Sequence, residues 1–159
     1  MNLQPFLIGE GWIEVIDGND TARAIFDKHY SRQPYADGRK PKLIAGPGEK
    51  MLLLSSAADA LCVWRKEMHR LDGQTGVNCA IFRREGGEPA SVQLAAARAL
   101  AWQRWPGERL FTFVNHRKVK PIMVRSHPVW GFCFYKDGWS FAGLTKTGLH
   151  ILERLPEAT

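Results

Sequence analysis

The residue types able to hold an anion cluster between Gly76 and Pro106, GVNCAIFRREGGEPASVQLAAARALAWQRWP. There Arg83 and Arg84 precede the glycine pair Gly86 and Gly87, and Pro89, Ala90 and Ser91 open an alanine-rich run. The apolar segment Val77 to Phe82 predicts a strand, the glycines a tight turn, and the run from about Ser91 to Trp105 a helix. The first amides of a helix have no partner inside it, and the helix dipole adds partial positive charge there. A glycine turn feeding such a start can hold a phosphate with main chain alone, and Arg83 and Arg84 can add charge-assisted bonds. Pro89 suits the entry and Ser91 the cap. The same order serves a diphosphate cradle or an ordinary strand-turn-helix, because a Gly-Gly turn by itself is not specific.

A second set of residues offers proton chemistry and charge. His29 titrates ordinarily at about 6.5, which suits a general base, and it ends an amphipathic segment beside a polar loop. The alternative is a histidine half-packed on the core face of that helix. Tyr30 and Tyr35 can stack on a planar substrate or simply line a rim. From Arg109 to Lys136 the chain carries Arg109, Arg117, Lys118, Lys120, Arg125 and Lys136 and no Asp or Glu, which equals the whole formal net charge of +6. Such a field fits a cofactor phosphate, an acidic substrate or nucleic acid, with Arg117, Lys118, Lys120 and Arg125 as the contacts; it fits a solvated loop as well. Trp130 lies in this segment and adds a ring on which a base can stack. Trp102 and Trp105, three apart in the alanine-rich run, read as core.

Composition bounds what these residues can belong to. A chain of 159 residues with 45% apolar and 24% charged residues is most simply one globular domain. It has neither a long apolar run for a membrane span nor a basic, apolar leader, so a cytoplasmic protein is expected. Cys62, Cys79 and Cys133 are far apart and each lies in an apolar run, which predicts reduced core thiols and no metal site.

The elements that must position these residues alternate in type. Gly11 to Ile16 predicts a half-buried strand, and Thr21 to His29 a helix presenting Ala22, Ile25, Phe26 and His29 on one face. SRQPYADGRKPK predicts an exposed loop, and Lys42 to Ala45 a short strand. Met51 to Ser55 and Ala60 to Trp64 predict a hairpin. After the main helix come a strand at Arg109 to Asn115, a short helix over Val129 to Lys136 ending at Asp137-Gly138, and a strand pair at Trp139 to Leu144 and Leu149 to Leu155. The sum is an α+β domain with one mostly antiparallel central sheet flanked by helices.

This layout resembles the GNAT-like N-acetyltransferase superfamily over nearly the whole chain. Arg83-Arg84-Glu85-Gly86-Gly87-Glu88-Pro89-Ala90 is similar to that superfamily's pyrophosphate loop, except that its two glycines are adjacent. Phe134-Tyr135-Lys136-Asp137-Gly138-Trp139 is similar to its late tyrosine, Gly, aromatic signature. These stretches, with FTFVN and GLTKTGLHILE, resemble small phage-encoded proteins of this type, and His29-Tyr30-Ser31-Arg32 resembles the phage Mom DNA-modification proteins. The resemblance implies acetyl-CoA or another acyl-CoA bound between strands holding Cys79 to Phe82 and Phe111 to Val114. Its contacts would include Phe82, Arg83, Arg84, Gly86, Gly87, Ala90, Ser91 and Asn115, although Asn115 also reads as a strand-ending turn residue. The acceptor would be an amine, a nucleobase among the options, with Tyr30, Ser31 and Arg32 on its side and His29 as base. Phe134 stands where the superfamily often has its proton-donating tyrosine. Either Tyr135 replaces it, or water protonates the thiolate, or the chemistry is lost; a helix turns neighbouring side chains about 100° apart. A non-catalytic nucleic-acid-binding or interaction protein of this fold is the alternative.

Overall fold

The computed structural model describes residues 6–9, 11–29 and 43–157, with main chain alone at 6–9. Tyr30, Ser31, Arg32 and Tyr35 lie outside the described residues. The elements run β1 (Phe6–Gly9), β2 (Trp12–Val15), α1 (Asp20–Phe26), β3 (Glu49–Ser55), β4 (Ala60–Lys66), β5 (Val77–Arg84), α2 (Ala90–Arg104), β6 (Leu110–Val114), β7 (Ile122–Val124), β8 (His127–Val129), α3 (Phe132–Lys136), β9 (Ser140–Leu144) and β10 (His150–Arg154). Eight strands form one sheet in the order β1-β2-β3-β4-β5-β6-β10-β9, and β7 and β8 form a separate hairpin. Every pairing in the large sheet is antiparallel except β5 with β6.

The apolar runs of β3 and β4 are buried on both faces because helices cover both sides of the sheet. Met51 and Leu53 on β3, with Cys62 and Trp64 on β4, pack toward α2. Leu52 and Leu54, with Leu61 and Val63, pack toward Ala22, Ile25 and Phe26 of α1. This is the two-residue alternation of a pleated strand. In β5 the alternation breaks: Cys79 belongs with the α2 side and Ile81 with the α1 side. The cause is a bulge, since Val63 pairs with Ile81 while Trp64 pairs with Cys79, leaving Ala80 without an opposite. The extra residue turns Phe82 to the α2 side, where its ring meets Phe134 edge-on at 6.1 Å.

Each helix start has a local cause. Asn19 caps α1 by accepting from the Ala22 amide at 3.0 Å. Leu94, Ala97, Leu100 and Ala101 form the buried stripe of α2 at helical spacing. Trp105 ends it buried, with its indole N–H donating to Glu49. The Arg98 guanidinium makes two bonds to buried Asp137, at 2.8 and 3.0 Å, and Asp137 also accepts from the Trp139 indole at 3.0 Å. That clamp fixes α3 against α2. Three expectations need correction. The helix expected from Val129 begins only at Phe132, after the left-handed Gly131, because Val129 ends the β8 strand. Residues 43–45 form no strand; the amides of Ile44 and Ala45 instead donate to the Asp17 carboxylate. Ser91 is not the cap of α2: the cap position is Pro89, with no side-chain bond.

Candidate functional site

The site is built where the single parallel pairing fails to continue. β5 and β6 pair only through Val77 with Leu110 and Asn78 with Phe111. The Thr112 hydroxyl donates to the Cys79 carbonyl at 2.8 Å, closing the fork, and beyond it the strands part. The opening is a cavity of about 160 Å³ whose walls include His29, Cys79, Phe82, Thr112, Cys133 and Phe134. The wall is mostly apolar, which suits an aliphatic arm rather than a charged one. Gly131 starts α3 at φ +76, and a β-carbon there would come within 3.0 Å of Val114 and 3.2 Å of Leu152. A side chain at this position would wedge α3 off β6 and β10.

At the same end of β5 the main chain turns through Gly86 and Gly87 into α2. The amides of Val92 and Gln93 donate to the Pro89 carbonyl at 2.9 and 3.1 Å. Those of Gly87, Ala90 and Ser91 donate to no acceptor among the described residues, and for Ala90 and Ser91 this is the ordinary state of first-turn amides. The loop is braced through its carbonyls instead. Arg84 donates to the carbonyls of Glu88 at 2.7 Å and Gly87 at 3.0 Å, and Gln93 donates to that of Gly86 at 3.1 Å. Arg84 is therefore spent on holding the loop's shape. Arg83 contacts Glu85 at 3.4 Å, and Lys28 reaches the same carboxylate at 3.5 Å.

Besides Glu85 and Glu88 in the loop itself, Asp59 stands against this positive end. Ser55 donates to Asp59 at 2.7 Å, and a β-carbon placed on Gly86 would meet the other Asp59 oxygen at 3.1 Å. Gly87 has φ +87, and a β-carbon there would meet the Gln93 amide nitrogen at 2.7 Å. Only glycine lets the loop lie so close to its brace. Nothing in the sequence marks Asp59, Gln93 or Thr112 for these roles, because each depends on which strands become neighbours.

His29 lines the fork, as its candidacy as a base requires. Burial first, and the nearby Arg83 charge second, lower its pKa to about 4. It is neutral at physiological pH and able to accept a proton, though weakly. Tyr135 lies elsewhere. It lines a separate groove, while Phe134 and Cys133 from the same helix line the fork. Burial raises the Tyr135 pKa. Cys133, expected as a reduced core thiol, lines the fork; burial foremost, then Cys79, pushes its pKa up to about 12, so it stays protonated. Asn115 behaves as a turn residue: its side chain accepts from the Arg117 amide and its carbonyl from those of Lys118 and Val119.

The basic segment divides in two. Arg109 is paired with Glu153 at 2.6 Å. Arg117, Lys118, Lys120, Arg125 and Lys136 enter no ion pair among the described residues. The hairpin carrying Arg125 is a surprise: β7 and β8 turn through Arg125 and Ser126, both at positive φ, 49° and 66°. Trp130 packs edge-on against His116 and His150, whose rings stack at 4.9 Å. Cys62 and Cys79 are buried free thiols, as expected. Among the described residues no cluster of metal-ligating side chains occurs, and no helix is long and apolar enough to cross a membrane. Comparison with protein-family models, with curated proteins and with solved structures finds no match to this chain.

Proposed function

We propose that this chain is a GNAT-type N-acyltransferase that takes an acyl group from acetyl-CoA or another acyl-CoA and passes it to an amine. The observation that carries the reading is the fork: two parallel strands joined over two residue pairs, then open around an apolar cavity, with β5 leading on through the glycine turn into a helix start with unbonded amides. In this reading the amides of Gly87, Ala90 and Ser91 hold the diphosphate, and Phe82, Thr112 and Val114 flank the thioester arm. The amine attacks the thioester carbonyl, a C–N bond forms and the C–S bond breaks. The ammonium proton passes to His29, directly or through water. The departing thiolate takes its proton from water, since Phe134 has none to give and Tyr135 lies outside the fork. The resemblance to phage proteins and to the Mom proteins makes a nucleobase amine one acceptor worth testing. Calorimetry with acetyl-CoA is the direct test. Micromolar binding, lost in Gly87→Trp, is expected; no heat at millimolar ligand, or a Gly87→Trp protein that binds like the parent, overturns the reading.

The unpaired cations favour a second reading, a nucleic-acid-binding protein of the same fold without turnover. DNA affinity should then fall steeply with salt, with a shallower slope in Lys118→Ala and Lys120→Ala. Absence of binding at low salt removes it.

A further inference from the structure

The groove that takes Tyr135 is distinct from the fork and lies on the other side of α3. It has a volume of about 420 Å³ and is walled by apolar and aromatic side chains, Val129 and Trp130 from the hairpin side, Phe132 and Tyr135 from α3, Phe141 and His150 from the sheet. That size accepts one or two side chains of a partner. Its sheet wall is shared by β9 and β10, and β9 has no neighbour beyond β10 among the described residues. β9 reads SFAGL, without a charge or a proline. Phe141 and Leu144 are 51% and 61% exposed. Their partners across the pair are Leu152 and His150, so both stand on the face that carries the groove. An uncharged, apolar open edge is a template for another extended chain, and natural sheets usually guard it with lysine, proline or a cover. Here no described residue covers it, and it runs beside an aromatic pocket.

The charges around the edge say what kind of chain fits. Lys136 precedes β9, Lys146 follows it, and Arg125 tips the hairpin on the opposite bank; all three are exposed or part-exposed and outside any ion pair among the described residues. A second copy of this chain is a poor occupant. Antiparallel self-pairing of β9 sets the Lys136 end of one copy beside the Lys146 end of the other, cation on cation.

We propose that β9 and the adjoining groove form a docking site for an extended acidic peptide of a partner protein. The peptide's main chain continues the sheet at β9, one bulky apolar side chain fills the groove, and flanking carboxylates meet Lys136, Lys146 and Arg125. Strand addition of this kind draws affinity from main-chain bonds and selectivity from the pocket. The proposal does not rest on acyl transfer, because the fork is a different cavity.

Fluorescence anisotropy tests it with a labelled nine-residue peptide alternating glutamate with valine around a central phenylalanine. Three comparators are the lysine counterpart, the same peptide N-methylated at alternate residues, and a twenty-nucleotide oligothymidylate. The acidic peptide is expected to bind, with at least tenfold weaker binding after N-methylation and in Phe141→Glu and Leu144→Glu, whose exposed positions leave the fold intact by circular dichroism. The lysine peptide should not bind. The proposal is overturned by no binding of the acidic peptide at millimolar protein, or by equal affinity for the N-methylated form. It is equally overturned if oligothymidylate binds in a Phe141-dependent way, which makes the surface a nucleic-acid site, or if the protein alone sediments as a dimer that Phe141→Glu dissociates.

Discussion

Adding a negative charge to the first turn of α2 separates binding from folding, because the two should move in opposite directions. Ser91 sits in that turn with its amide unbonded and its side chain uninvolved in capping. In Ser91→Asp the new carboxylate lies about 5 Å from a phosphoryl charge held by the helix start, so at an effective dielectric of about 20 the repulsion is about 3 kcal/mol. Salt and partial exposure reduce this, and with about 1.4 kcal/mol per tenfold the acetyl-CoA dissociation constant should rise tenfold or more. The same charge favours the helix dipole by about 0.3–1 kcal/mol, so the melting temperature should hold or increase. Asp59→Asn is the complement: it removes the acid that faces Gly86 and leaves an oxygen for the Ser55 hydroxyl. Its affinity should rise severalfold. Calorimetry at low salt, with a thermal melt of each variant, reads both effects. Unchanged affinity in Ser91→Asp with an intact melt would refute diphosphate binding at this helix start, and weaker binding in Asp59→Asn would contradict the electrostatic argument.

Other perturbations test the frame around the site. Thr112→Val leaves the buried Cys79 carbonyl without its donor, a loss of about 1–3 kcal/mol; chemical denaturation that reveals no loss means the fork is closed by other contacts. Ser126→Gly relieves a positive φ of 66° and should stabilise the protein by about 1 kcal/mol, seen as a melting-temperature gain of about 2–4 °C; a drop would mean the turn is not strained. His29, with its folded pKa lowered to about 4, binds a proton more readily when unfolded, so its contribution is full above about pH 6.5 and is lost as the pH falls toward 4. The shift of about 2.5 units corresponds to about 3 kcal/mol, less some screening at a partly open position. Urea melts at pH 7.5 and 4.5 should show a smaller acid loss in His29→Gln than in the parent, and equal losses would rule out a buried neutral imidazole.

The parts of this fold that follow from local pattern were legible in the sequence. Alternation in Leu110–Val114 and the apolar runs of β3 and β4 declare strands, and glycines at 86 and 87 mark the turn into α2. The basic hairpin was not legible, because its strands are three residues each and its turn is Arg125-Ser126 instead of the Asn-Gly that advertises such a bend. A parting of the strands at Cys79 to Phe82 and Phe111 to Val114 was expected only through the family resemblance, since the length over which β5 and β6 stay paired is decided by Thr112, the bulge at Ala80 and the seat of α3, all tertiary matters. Arg84 was misleading in a physical way. A guanidinium beside a glycine turn suits a phosphate and a row of carbonyls equally, and only geometry separates them. Helical rotation left Tyr135 open as a proton donor in place of Phe134, and only the seat of α3 decides that it faces the groove and not the fork.

α3 is five residues long, and it gives a wall to each of two chambers. Cys133 and Phe134 furnish one surface of that wall, Phe132 and Tyr135 the other. Its far end is pinned by Arg98 and Trp139 through Asp137, so it pivots more readily than it slides. Any tilt that enlarges the space on one side subtracts it from the other, so the sizes of the two chambers are tied through one turn of helix.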